Sequence, residues 1–204
     1  MTDTAQLVDA LHRRVGTGAH GGRTIALTRT YDAAIADVWS ACTEPDRLAR
    51  WFLPVSGDLR TGGQYRLEGG ASGTVERCDP PRGFTATWEF GGGTSRIELR
   101  LSTEEGGRTR LELEHSVPDD EHWAEFGPGA AGVGWDIGLL NLGLHLAGEQ
   151  IQPEEEWAAT EPGLRFMRLS SARWGEADIA AGAGPERARA AAERTAAFYT
   201  GSTQ

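Results

Sequence analysis

The 204-residue chain carries 30 acidic side chains against 20 basic ones, a net charge of −10, with a pI near 5.0. That balance argues against a nucleic-acid partner and against an anionic membrane surface, because both are recognised by clustered cations. Every cation is an arginine, so Schiff-base chemistry and a phosphate-loop lysine are excluded. The length suits one domain with a sizeable core and an appendage.

Two cysteines, Cys42 and Cys78, lie far apart with no CxxC pair. They are expected to be free thiols in a reducing, cytoplasmic setting. The N-terminus carries Asp3, Asp9, Arg13 and Arg14 without an apolar core, unlike a signal peptide. The most apolar run, Val133 to Ala147, is too short to span a bilayer and contains Asp136, Asn141 and His145.

In chain order, Leu7, Leu11 and Val15 at helical spacing predict an amphipathic helix over 4–15, and 16–22 reads as a glycine-rich link. The first strand is expected over 24–30, with Ile25 and Leu27 on one face. Two short helices follow: Asp32 is the expected N-cap of the first, and Glu44-Pro45 opens a second that runs to Trp51-Phe52. The period then switches to two, through six strand-like segments. Tyr65 and Leu67 share a face; 74–78 ends at Pro80-Pro81; Phe84, Ala86, Trp88 and Phe90 alternate with polar residues up to the triple glycine 91–93. Ile97, Leu99 and Leu101 alternate with Arg96, Glu98 and Arg100, and Leu111 and Leu113 with Arg110, Glu112 and Glu114. One face of the sheet is therefore apolar and the other charged. The charged rows should pair across strands for roughly 0.2–1 kcal/mol each and read as a solvated surface.

A long helix is expected from about Gly129 to the C-cap glycine Gly148. Trp135, Leu139, Leu142 and Leu146 form one apolar stripe, and Val133, Ile137, Leu140 and Leu144 a second on nearly the opposite side, so both sides must be covered. Residues 153–204 read as helical, broken at Gly184-Pro185, with Leu164, Met167, Trp174 and Ile179 available to cover the second stripe.

The strand, two small helices, meander and long helix, with the paired tryptophans Trp39 and Trp51, resemble the SRPBCC (START/Bet v 1-like) superfamily. More narrowly, they resemble its branch named after the C-terminal domain of the activator of Hsp90 ATPase. The resemblance covers about residues 23–148. It implies an α+β helix-grip fold, in which a curved antiparallel sheet wraps the long C-terminal helix and leaves a cavity between them. The organisation expected is 1–22 as helix and link, 23–148 as the helix-grip domain, and 149–204 as a helical extension packed on the long helix.

Phase places Tyr65, Trp88, Phe90, Leu111, Leu113 and His115 on the apolar face, opposite Trp135, Leu139 and Leu142, with Trp39 closing one end. Such an aromatic pocket with few polar groups is the default binding site. The plainer reading is that these side chains fill the space themselves. The family often places a histidine where His115 stands, before a turn like Ser116-Val117-Pro118. It would orient a ligand or act as general base, or it would simply be a hydrogen-bonded histidine at the sheet end. His115, Asp119, Asp120, His122 and Glu125 match no metal-ligand spacing, and Asp119 and Asp120 better suit the N-terminus of a helical turn. His145 is expected at the cavity rim. The glycines of 129–134 do not follow the order of a dinucleotide loop, and no cofactor or metal is called for.

Three functions follow. The first is binding of a small apolar or lipid-like molecule. The second is a polyketide cyclase/aromatase- or hydrolase-type enzyme in which His115 or Tyr65 moves protons. The third is an Hsp90-type co-chaperone. The chain would be a monomer, or a homodimer burying the second helix stripe against its own copy.

Overall fold

A computed structural model describes residues 4–18 and 22–201. Asp3 and the link residues Ala19, His20 and Gly21 lie outside the described residues. The elements in order are α1 (Thr4–Asp9), β1 (His12–Thr17), β2 (Arg23–Tyr31), α2 (Ile35–Thr43) and α3 (Pro45–Leu48). Six strands follow: β3 (Val55–Gly57), β4 (Gln64–Leu67), β5 (Ser72–Asp79), β6 (Gly83–Phe90), β7 (Gly93–Thr103) and β8 (Thr109–Val117). The helices α4 (Glu121–Phe126), α5 (Gly129–Leu146), α6 (Glu154–Ala158), α7 (Glu161–Ala180) and α8 (Pro185–Tyr199) complete the chain. The strands form one unclosed sheet in the order β1-β2-β8-β7-β6-β5-β4-β3. With the long helix α5 this is the α+β helix-grip architecture expected. Among the described residues, no helix is long and apolar enough to cross a membrane.

Two expectations are corrected. Residues 4–15 are not one helix: α1 stops at Asp9 and β1 takes over at His12. Leu11 and Val15 are buried, and the Arg13 side chain between them is only 4% exposed. The true period is therefore two, disguised by a charge in the buried row. Asp32 does not cap α2, which begins at Ile35 behind Ala34 without a side-chain cap.

The chain divides into two compact units, and both β2 and α5 are shared out between them. One unit takes the chain up to Leu27, Pro118–Ile137 and the chain from Gln152 onward; the other takes Thr28–Val117 and Gly138–Ile151.

In the first unit Val133, Phe166, Met167 and Trp174 are at most 1% exposed. A Cβ at Gly132 would stand 2.3 Å from Cε2 of Trp174, so only glycine lets that indole lie on α5. Trp174 Nε1 then donates to Oδ2 of Asp136 at 3.2 Å, one turn further along the helix. The same oxygen accepts from Arg13 Nε at 2.9 Å and from the Ser170 hydroxyl. Burial pushes this carboxyl up, to about 6, against the pull of Arg13, Ser170 and Trp174. The C-terminal helix α8 is tied in by Thr195, which donates to the Phe126 carbonyl, and by Tyr199, which donates to that of Ala130. Asp120 caps α4 by accepting from Trp123 N at 3.0 Å, and Asp119 pairs with Arg23.

In the second unit the antiparallel register sets Leu99 opposite both Phe84 and Leu113, and Ile97 opposite His115. A bulge shifts the register between Val75 and Arg77, which leaves Glu76 and Arg77 both exposed. On the charged face Glu98 stands opposite Glu114, a repulsive pairing offset by Arg100, which reaches Glu98, Glu112 and Glu114 at 3.0, 2.7 and 3.5 Å. Within α5, Arg29 and Tyr31 of β2 both donate to the Leu139 carbonyl, at 2.8 and 2.9 Å. The guanidinium lies against Gly143, where a Cβ would stand 2.9 Å from it.

Candidate functional site

The apolar row of the second unit comes from alternation in β4, β6, β7 and β8. Leu111, Leu113, Leu139 and Leu142 are at most 3% exposed, and Tyr65 and His115 only 8% and 5%. Trp39 and Trp88 are half-buried, with Trp39 edge-on to Phe84 at 6.4 Å. Trp51 is buried, and its indole donates to the Ala41 carbonyl at 2.9 Å, tying the chain after α3 to α2. Phe90, read as part of the inner row, is 64% exposed: the alternation runs on to the turn at Gly91, where the strand end stands in solvent. Trp135 belongs to the first unit and is half-buried there.

His115 is the chemically distinctive member of this row. Its Nε2 lies 2.8 Å from Ser95 Oγ, and the Ser95 hydroxyl lies 3.1 Å from the Trp88 carbonyl oxygen. A hydroxyl has one proton to give. Ser95 gives that proton either to the Trp88 carbonyl or to the imidazole Nε2, according to the tautomer of His115. Burial lowers the His115 pKa to about 4, so the ring is neutral at physiological pH. It stands edge-on to Trp88 with centroids 5.9 Å apart. The network was not legible because Ser95 lies at the margin of the alternating part of β7.

Tyr65 does not offer a comparable proton carrier. Its hydroxyl donates to the Thr87 carbonyl at 2.7 Å, and burial, with Glu89 nearby, raises its pKa to about 12. Cys42 is buried and likewise pushed up to about 12, far from thiolate reactivity. His145 is half-buried, and its Nε2 lies 3.3 Å from Arg47 Nε; Arg47 also holds Asp37 at 2.6 Å and Ser40 at 3.0 Å. Among the described residues no three His, Cys, Asp or Glu side chains are grouped to hold a metal ion; His122 instead packs on Phe126.

The family model described as activator of Hsp90 ATPase homolog 1-like protein matches residues 32–143. The chain belongs to that family. It is therefore a member of the activator of Hsp90 ATPase-like branch of the SRPBCC superfamily. Among solved structures it is similar to CalU16 from Micromonospora echinospora. The crystal structure is 39% identical, with 82% of this chain and 98% of that chain covered and a TM-score of 0.65. The solution structure is 40% identical, with 85% and 97% covered and a TM-score of 0.69. The fold alone is shared with DynU16, a putative protein in the dynemicin biosynthetic locus, at 22% identity, 62% and 48% coverage and a TM-score of 0.54. It is also shared with the Aha1 dimer from Colwellia psychrerythraea, at 21% identity, 60% and 95% coverage and a TM-score of 0.50. No functionally curated protein matches the chain.

Proposed function

We propose that this protein binds a small, largely apolar molecule on the inner face of its sheet, against Leu139 and Leu142 of α5, with His115 as the polar group that orients it. The observation that carries the reading is the neutral His115 imidazole, fixed by Ser95 and set edge-on to Trp88 within an otherwise apolar row. A few placed polar groups in a hydrophobic lining give orientation and specificity to a small-molecule site. Catalysis in the same place would draw on His115 alone, because the Tyr65 hydroxyl is committed to Thr87.

Titration with a neutral naphthol and with a medium-chain acyl alcohol, followed by tryptophan fluorescence, tests this. The expected result is a saturable change that Leu139→Trp abolishes by filling the space and that His115→Gln weakens by about tenfold, the loss of one hydrogen bond. Absence of any saturable change, or an unaltered affinity in a folded Leu139→Trp protein, would overturn the reading.

A further inference from the structure

On the charged face of the sheet a depression of about 340 Å³ is lined by Arg77, Arg82, Arg100 and Arg110 together with Asp79 and Glu112. Its floor is Gly83. The register sets Asp79, Gly83, Arg100 and Glu112 in one row across β5, β6, β7 and β8. Gly83 is fixed there, with φ of +156° and a would-be Cβ only 2.1 Å from the Leu99 carbonyl oxygen.

The four guanidiniums are not equally engaged. Arg100 is held by Glu98, Glu112 and Glu114, and Arg77 reaches Glu98 at 3.4 Å. Arg82 has Asp79 at 3.9 Å and Arg110 has Glu112 at 3.6 Å, both beyond hydrogen-bond reach. These two side chains are 76% and 47% exposed, and both line the depression. Each guanidinium presents a planar fork of donors that suits an oxyanion bidentately. The engaged carboxylates hold Arg77 and Arg100 in place as walls, and Arg82 and Arg110 keep donors to give.

We propose that this depression is a second binding site, for a small polyanion whose two anionic groups engage Arg82 and Arg110. The site is independent of the apolar row on the other face, so its success or failure leaves that reading untouched. Isothermal calorimetry with pyrophosphate at low ionic strength tests it, with inorganic phosphate as a single-group comparison. The expected result is saturable binding of pyrophosphate that is tighter than that of phosphate. It should weaken by about tenfold or more in the Arg82→Gln/Arg110→Gln protein, since each charge-assisted pair is among the stronger hydrogen bonds, and it should be unchanged in His115→Gln. Both arginines are surface residues, so an unaltered melting temperature certifies the double variant as folded. No saturable binding to the wild-type protein, or equal affinity in the double variant, would overturn the proposal, as would equal affinity for phosphate and pyrophosphate.

Discussion

His115 shows how much one residue can hold that its position in a pattern does not disclose. Its place on the buried face was legible from its phase with Leu111 and Leu113. Its partner was not, because Ser95 lies twenty residues away on the neighbouring strand. The pH consequence follows from burial. In the unfolded chain the imidazole takes its proton near 6.5, and in the folded protein near 4. Between those values the unfolded state holds the extra proton, so stability is lost as pH falls through that window. The loss is complete below the folded value and amounts to on the order of 3 kcal/mol. Urea unfolding of wild type and His115→Gln between pH 4 and 7 isolates this contribution from the carboxylates. The wild-type free energy should fall more steeply toward acid than that of the variant; parallel profiles would show that the imidazole is solvated. Asp136 was visible in the sequence only as a charge interrupting an apolar run. Its meaning lies in Arg13, Ser170 and Trp174, which come from two other elements and which no spacing rule connects to it.

At the scale of elements, α5 was read correctly in its bounds and its glycine C-cap, and its two apolar stripes hold in part: Val133, Ile137, Leu139, Leu140 and Leu142 are buried, whereas Trp135, Leu144 and Leu146 are only half-buried. The five strands from β4 to β8 were equally legible, because alternation and glycine turns are local signals; β3 is only three residues long, too short for alternation to show. The N-terminal strand β1 was not, since Arg13 occupies a position where the pattern demands an apolar residue, and its partner Asp136 is 123 residues away. The glycines inside α5 were read only as allowing close approach, and they divide into two kinds. A methyl group at Gly132 would enter the Trp174 ring, whereas at Gly134 it would meet only the Tyr199 hydroxyl at 3.4 Å. Gly134→Ala should therefore gain about 1 kcal/mol from helix propensity. Gly132→Ala should lose about 1–3 kcal/mol to overpacking despite the same propensity gain. Thermal or urea unfolding of the pair decides this; equal effects would mean that Trp174 can move aside without cost.

For the whole molecule, the C-terminal extension was expected to pack on the long helix, and within the first unit Ser170, Trp174 and Tyr199 bond to α5 while Thr195 bonds to the end of α4. Truncation after Gln152 would remove all four. Asp136 would keep Arg13 but lose two of its donors, and a hydrogen bond to a charged group is typically worth about 1.5–3 kcal/mol. The truncated protein should melt well below the full chain and aggregate or self-associate in analytical ultracentrifugation; a soluble, equally stable monomer would show the extension to be a mere tail. Loss of the extension would not, however, free the far half of α5. The Arg29 guanidinium sits in the notch at Gly143 and grips the Leu139 carbonyl from there. Sliding the helix by one turn, about 5.4 Å, would bring Leu139 or Ala147 to that notch, and the guanidinium would have to shift and release the Leu139 carbonyl. The notch works as a detent: it indexes the helix to a single axial stop against β2. A ligand lying on Leu139 and Leu142 would thus meet a wall of fixed position, sized for one depth of entry.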